Sequence, residues 1–133
     1  MTDLQTAKSK LSGHTLCLCR DGECLFSNER GIAPMLNFIN SNVNLQGYSV
    51  ADLIVGKAVA MLFVFSGIRQ VYARTLSQGG KRIFEKYGVP FEYGTLTDRI
   101  INRAGTDVCP MEKAVADVDG LEQAYIILNN KLK

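Results

Sequence analysis

The segment Leu53 to Phe65, L-I-V-G-K-A-V-A-M-L-F-V-F, constrains this chain most. It is apolar on almost every side, so no simple amphipathic surface helix accounts for it. Its longest unbroken apolar run, Ala58 to Phe65, is too short to span a bilayer. A segment of this kind belongs in the middle of a core, with the rest of the chain built around it. We read Ser49, the start of S-V-A-D, as the cap of a capping-box-like signature with Asp52 as its acidic third residue. The sequence then predicts one buried central helix from Ser49 to about Ser66, stopped at Gly67.

What surrounds that helix alternates in type. Residues 2–11 carry Leu4, Ala7 and Leu11 at helical spacing and predict a short helix, frayed within residues 1–12. H-T-L-C-L-C-R-D-G-E-C-L-F-S holds two extended runs about Asp21-Gly22, the signature of a tight type I′ hairpin. A two-residue loop places Arg20 opposite Glu23, Cys19 opposite Cys24 and Leu18 opposite Leu25. Met35, Leu36 and Ile39 form the inner face of a helix that Pro34 opens. R-Q-V-Y-A-R-T-L predicts a strand, S-Q-G-G a loop, and K-R-I-F-E-K-Y a helix ending at Gly88. V-P-F-E-Y-G predicts a short strand and T-D-R-I-I-N-R a helix capped by Thr97. A helix follows at Pro110, and L-E-Q-A-Y-I-I-L-N-N-K closes the chain. A hairpin joined to alternating strands and helices implies a mixed sheet covered on both faces.

The 133 residues suit one domain, 1–133. With 47% hydrophobic and 21% charged residues, the composition is that of a globular protein. The net charge of +2 is spread along the chain and forms no stripe suited to nucleic acid. No apolar signal-peptide core follows the N-terminus, so a cytoplasmic protein without membrane contact is expected. The four cysteines include no C-x-x-C pair, and His14 is the one histidine. The usual zinc spacings are absent, and no metal or cofactor is expected. The Cys19–Cys24 pair is expected to be reduced, two small hydrophobes packed together; the alternative is a redox-switchable cross-strand disulfide.

The element order resembles the cytidine-deaminase-like fold, a three-layer α/β/α domain whose mixed sheet begins in an N-terminal β-hairpin. The segments L-C-L-C-R-D-G, D-L-I-V-G-K-A-V-A-M-L and D-V-C-P-M-E-K-A-V resemble an uncharacterised family, domain of unknown function eighteen-ninety-three, over about residues 14 to 132. That family carries no activity to transfer. Deaminases carry H-A-E or C-A-E at the start of the buried helix and P-C-x-x-C at the next, the histidine and cysteines holding zinc. The resemblance places Val55 and Lys57 at the first triplet, and Ser77 and Gly80 at the cysteine positions. It therefore implies a deaminase-like domain without zinc chemistry.

Three features remain. Lys57 is the one charge between Asp52 and Arg69; it is either a pocket cation for an anionic ligand or a lysine that reaches solvent or a carboxylate. Gly56 beside it would let a ligand or another backbone come close. S-Q-G-G before Lys81-Arg82 is either a phosphate-attracting helix start or a plain turn. Cys109 stands before Pro110 with Thr106 or Asp107 as helix cap. It is either a thiolate favoured by the helix end, with Arg103 and Lys113 adding charge, or a packed structural thiol. The first functional reading is a binding module for a small anionic or nucleotide-like ligand, walled by Asp52, Gly56, Lys57, Ser77, Gly79, Gly80 and Arg103. The second is a zinc-independent enzyme with Cys109 as nucleophile and Lys57 or Glu112 assisting. The third is a structural or regulatory protein acting as a homodimer.

Overall fold

The computed structural model describes residues 2–101, 105 and 107–132. Helix α1 (Asp3–Lys10) starts at a capping box in which Thr2 accepts from the Gln5 N–H and Gln5 reaches back to Thr2. The hairpin β1 (Leu16–Arg20) and β2 (Glu23–Ser27) has the expected register, with Cys19 opposite Cys24 and Leu18 opposite Leu25. Asp21 and Gly22 both take positive φ, as the type I′ turn requires. Helix α2 (Ala33–Asn40) follows, with Pro34 in its first turn.

The central segment differs from the expectation. Ser49–Val55 is strand β3, and the helix α3 begins only at Lys57 and runs to Phe65. A strand buried on both faces and a buried helix both read as unbroken apolar sequence, so periodicity does not separate them. Gly56 is the cap residue of α3, and Asp52 lies within β3 instead of at a helix start. Strand β4 (Gln70–Ser77) leads directly into α4 (Gln78–Tyr87). Gly79 and Gly80 thus form the first turn of α4 and are not a loop. Gly88 ends α4 in the left-handed conformation, φ 69°.

Strand β5 (Phe91–Thr97) extends through Thr97, the residue expected to cap a helix. No helix forms over Asp98–Ile101; Ile101 instead bridges to Val108. The end of that expected helix, with Arg103, and the expected cap Thr106 lie outside the described residues. Cys109 itself takes the cap position of α5 (Pro110–Val115), and Asp107 instead accepts from Val108 N–H and pairs with Lys113. Helix α6 (Leu121–Leu132) completes the chain.

The sheet order is β2-β1-β3-β4-β5. The first three strands pair antiparallel and the last three parallel, giving the mixed sheet expected. The parallel crossovers carry α3 and α4 onto one face, as right-handed connections demand. There Leu16, Leu18, Val50, Val71 and Ala73 of the sheet meet Met61, Leu62, Phe63, Phe84, Val115 and Leu128 in one core. Each such side chain contributes about 1.5–3 kcal/mol on burial, so this face dominates stability. Helix α1 covers the opposite face, where Ala7 and Leu11 meet Cys17, Cys19 and Ala51. Cys19 and Cys24 form a disulfide, contrary to the reduced pair expected. Direct opposition across the tight hairpin brings the two sulfurs together.

Candidate functional site

Three parallel strands ending side by side create a crevice at their carboxyl ends, the usual ligand position in open α/β sheets. Here β3 ends at Val55, β4 at Ser77 and β5 at Thr97. The N-termini of α3 and α4 therefore stand next to each other. Ser77 is buried, and its Oγ accepts from the Gly80 N–H at 3.0 Å, so it caps α4. A Cβ on Gly80 would lie 3.0 Å from Leu76 Cδ1 and 3.2 Å from the carbonyl oxygens of Val55 and Gly56. One on Gly79 would lie 3.3 Å from Lys57 Cβ. The double glycine lets the first turn of α4 close onto the β3–α3 connection.

The other helix start is satisfied from a distance. Glu112, in the first turn of α5, accepts from the Lys57 N–H at 2.7 Å and from the Ala58 N–H at 2.8 Å. Those N–H groups have no partner within α3, so a carboxylate 55 residues away takes the place of a local side-chain cap. Gly56 makes this contact possible: a Cβ there would sit 1.9 Å from Glu112 Oε1 and 2.5 Å from its Cδ. Gly56 has φ −105°, so the demand is for space and not for backbone freedom. Burial pushes the Glu112 carboxyl up, and the two N–H bonds and the Lys57 charge only partly offset it. With both oxygens engaged, Glu112 is a positioning group and does not stand as a free base. The Lys57 ammonium donates to the Ala116 carbonyl at 3.0 Å, at the end of α5.

Two cavities meet at Glu112 and Ile100, which line both. The first, of about 450 Å³, is lined by Lys57, Arg82, Lys86 and Arg99, by Ser77 and Gly79, and by the carboxylates of Asp98 and Asp119. The second, of about 700 Å³, is more apolar: Leu16, Val59, Pro110 and Met111 surround Asp52, Gly56 and Cys109. Lys57 and Cys109, expected to cooperate, thus line different cavities. Gly80 lines neither and serves packing. Lys86 was missed by sequence reasoning, although its i, i+4 spacing from Arg82 on α4 puts the two on one face. Arg99 was missed because its segment reads as a helix.

Asp52 is half-buried beside the apolar wall of the second cavity. Burial pushes its carboxyl up to about 7, against hydrogen bonds from the Ile54 and Leu53 backbone. Cys109 is also half-buried; its N–H donates to the Ile100 carbonyl at 2.9 Å, fixing the chain where α5 begins. Lys113 is engaged by Asp107.

The family model for TM1506, Domain of unknown function (DUF1893), matches residues 7–132. The chain belongs to the DUF1893 family. The crystal structure of a DUF1893 family protein from Thermotoga maritima is similar to it, with a TM-score of 0.88 at 24% identity, covering 98% of this chain and 91% of that one. That likeness shows the same α/β fold. A weaker likeness is to dCMP deaminase from the cyanophage S-TIM5 in apo form, with a TM-score of 0.48 at 14% identity, covering 68% of this chain and 92% of that one. No curated protein matches the sequence. Among the described residues, no helix is long and apolar enough to cross a membrane.

Proposed function

We propose that this DUF1893 chain binds a small anionic, nucleotide-like ligand in the cavity at the carboxyl ends of β3, β4 and β5. One observation carries the reading: Lys57, Arg82, Lys86 and Arg99 converge on that cavity of about 450 Å³. Its size suits a small molecule. Guanidinium groups suit phosphate or carboxylate oxygens through paired N–H donors. Of the three carboxylates in its lining, Glu112 is directed at the α3 backbone, and the four cations outnumber the remaining Asp98 and Asp119. The adjoining apolar cavity would take the uncharged body of the ligand. Zinc does not fit this setting. Among the described residues, no three His, Cys, Asp or Glu ligand atoms come together in either cavity, where Cys109 is the one thiol and the Lys57 ammonium heads α3.

The test is calorimetric titration with a nucleoside monophosphate and with the matching nucleoside. The monophosphate should bind at least tenfold more tightly, and the difference should shrink in an Arg82→Gln, Lys57→Gln double variant. Equal binding of the two compounds, or unchanged affinity in the variant, would overturn the proposal.

A second reading rests on Cys109 and Asp52 lining the same cavity. There Cys109 is a nucleophile and Asp52, with its carboxyl near 7, takes the thiol proton. An electrophilic substrate class would then form a covalent adduct at Cys109, which intact-protein mass spectrometry would detect and Asp52→Asn would suppress.

A further inference from the structure

A separate cluster lies on the other face of the sheet, beneath α1. Period-two alternation turns Cys17 and Cys19 to the same side of β1, and the hairpin register sets Cys24 opposite Cys19. The Cys17 and Cys19 sulfurs are 3.7 Å apart, and all three sulfurs lie within 4.8 Å of one another. Cys17 and Cys19 have no solvent exposure, whereas Cys24 is half-buried. Ala7 and Leu11 of α1 and Ala51 of β3 enclose them, with Leu53 and Tyr72 alongside. Among the described residues, no carboxylate or imidazole joins the three sulfurs.

The disulfide engages two of these sulfurs in the structure. A small dithiol can reduce it. The Cys19–Cys24 bond breaks, each sulfur gains a proton and an electron, and the dithiol leaves as its own disulfide. Three thiols then face one another in a dry pocket. We propose that this reduced cluster is a binding site for a soft, thiophilic cation, Cu(I), held by the sulfurs of Cys17, Cys19 and Cys24.

The ligand chemistry selects the cation. Thiolates favour soft metals, and magnesium or calcium would need oxygen donors that are absent here. Structural zinc takes four ligands and catalytic zinc keeps a water. Cu(I) accepts three sulfurs in a plane and needs neither. Each thiol loses its proton as its bond to the metal forms, so affinity rises with pH. Burial pushes the free Cys17 thiol up, and the Lys10 ammonium only partly offsets this. Cys24, the one partly exposed member, offers the way in. Oxidation to the disulfide removes two of the three ligands, so metal loading depends on redox state.

The experiment uses the full chain reduced with a phosphine, which does not supply competing thiols. Cu(I) is titrated against a chromophoric chelator, and the copper-edge X-ray absorption of the loaded protein is recorded. The expected result is one Cu(I) per chain with three sulfur neighbours, and at least tenfold weaker binding by the unreduced protein. Cys17→Ala should bind at least tenfold more weakly, with two sulfur neighbours. The absorption spectrum of the unaltered chain decides the matter even if that variant does not fold. Less than one equivalent of copper, nitrogen or oxygen neighbours in place of sulfur, or undiminished binding by the disulfide form would overturn the proposal. Stoichiometric zinc displacing Cu(I) would overturn the choice of cation.

Discussion

Replacing Gly56 by alanine should disconnect α5 from α3. The new Cβ would stand 1.9 Å from Glu112 Oε1 and 2.8 Å from Ile100 Cγ1. No rotation of a fixed Cβ relieves this, so the carboxylate must leave the Lys57 and Ala58 N–H groups. Hydrogen bonds to charged groups contribute about 1.5–3 kcal/mol each. The burial that raises the Glu112 carboxyl opposes them, and alanine recovers about 0.4–1 kcal/mol from the unfolded chain. The expected loss is about 2–4 kcal/mol, roughly 5–15 °C in Tm for a chain of this size. Glu112→Ala should cost a similar amount. If both act through the same contact, the double variant should lose little more than either single one. A coupling of about 2 kcal/mol in a urea-denaturation cycle is the predicted result. Additive losses, to within about 0.5 kcal/mol, would refute the reasoning, as would a Gly56→Ala variant as stable as the parent.

Two further outcomes follow from the second cavity. The folded-state carboxyl of Asp52 is raised from 3.8 to about 7, so the folded chain holds this proton more tightly than the unfolded one. The stability it contributes is complete below about pH 4 and is lost as pH rises through 7. Asp52→Asn should flatten that slope and stabilise the protein at pH 8 by about 2 kcal/mol; the full shift is an upper bound because the side chain keeps some solvent contact. Parallel stability curves for the two proteins from pH 4 to 8 would contradict this. Cys109, half-buried at a helix start, should be alkylated by iodoacetamide in the native state, whereas Cys17, with no exposure, should react only on unfolding. Cys109→Ser should remove the native labelling at a cost of about 1 kcal/mol or less, and a larger loss would mark Cys109 as a packing residue.

The hairpin was legible in detail because Asp21-Gly22 admits few turn geometries and the turn fixes every cross-strand pair. The same register made the Cys19–Cys24 approach readable, but not its oxidation state. The Ser49–Val55 strand was not legible as a strand. Val50, Ala51 and Val55 are buried within the sheet, and a strand covered on both faces loses the alternation that would identify it. Thr97 misled for the opposite reason, since its pairing with Ser77 of β4 outweighs its helix-cap signal, and Ile101 bridges to Val108 instead of continuing a helix. At the site, Lys57 and Gly56 stood out in the sequence as a charge and a gap in an apolar run. The partner that gives Gly56 its purpose, Glu112, is 56 positions further on, and only the fold reveals that contact. The cation wall gathers residues from α3, α4 and the segment after β5, which no local pattern connects. The third member of the sulfur cluster could have been found from C-x-C alternation combined with the hairpin register.

The central claim is that anions are held where β3, β4 and β5 end. Amide chemical-shift mapping with isotope-labelled protein, titrated with a nucleoside monophosphate, tests it most directly. Saturable shifts are expected at Lys57, Ala58, Gly79 and Arg99, with the hairpin-tip amides of Cys19–Cys24 unmoved. Shifts confined to the hairpin, or none that saturate at millimolar ligand, would contradict it.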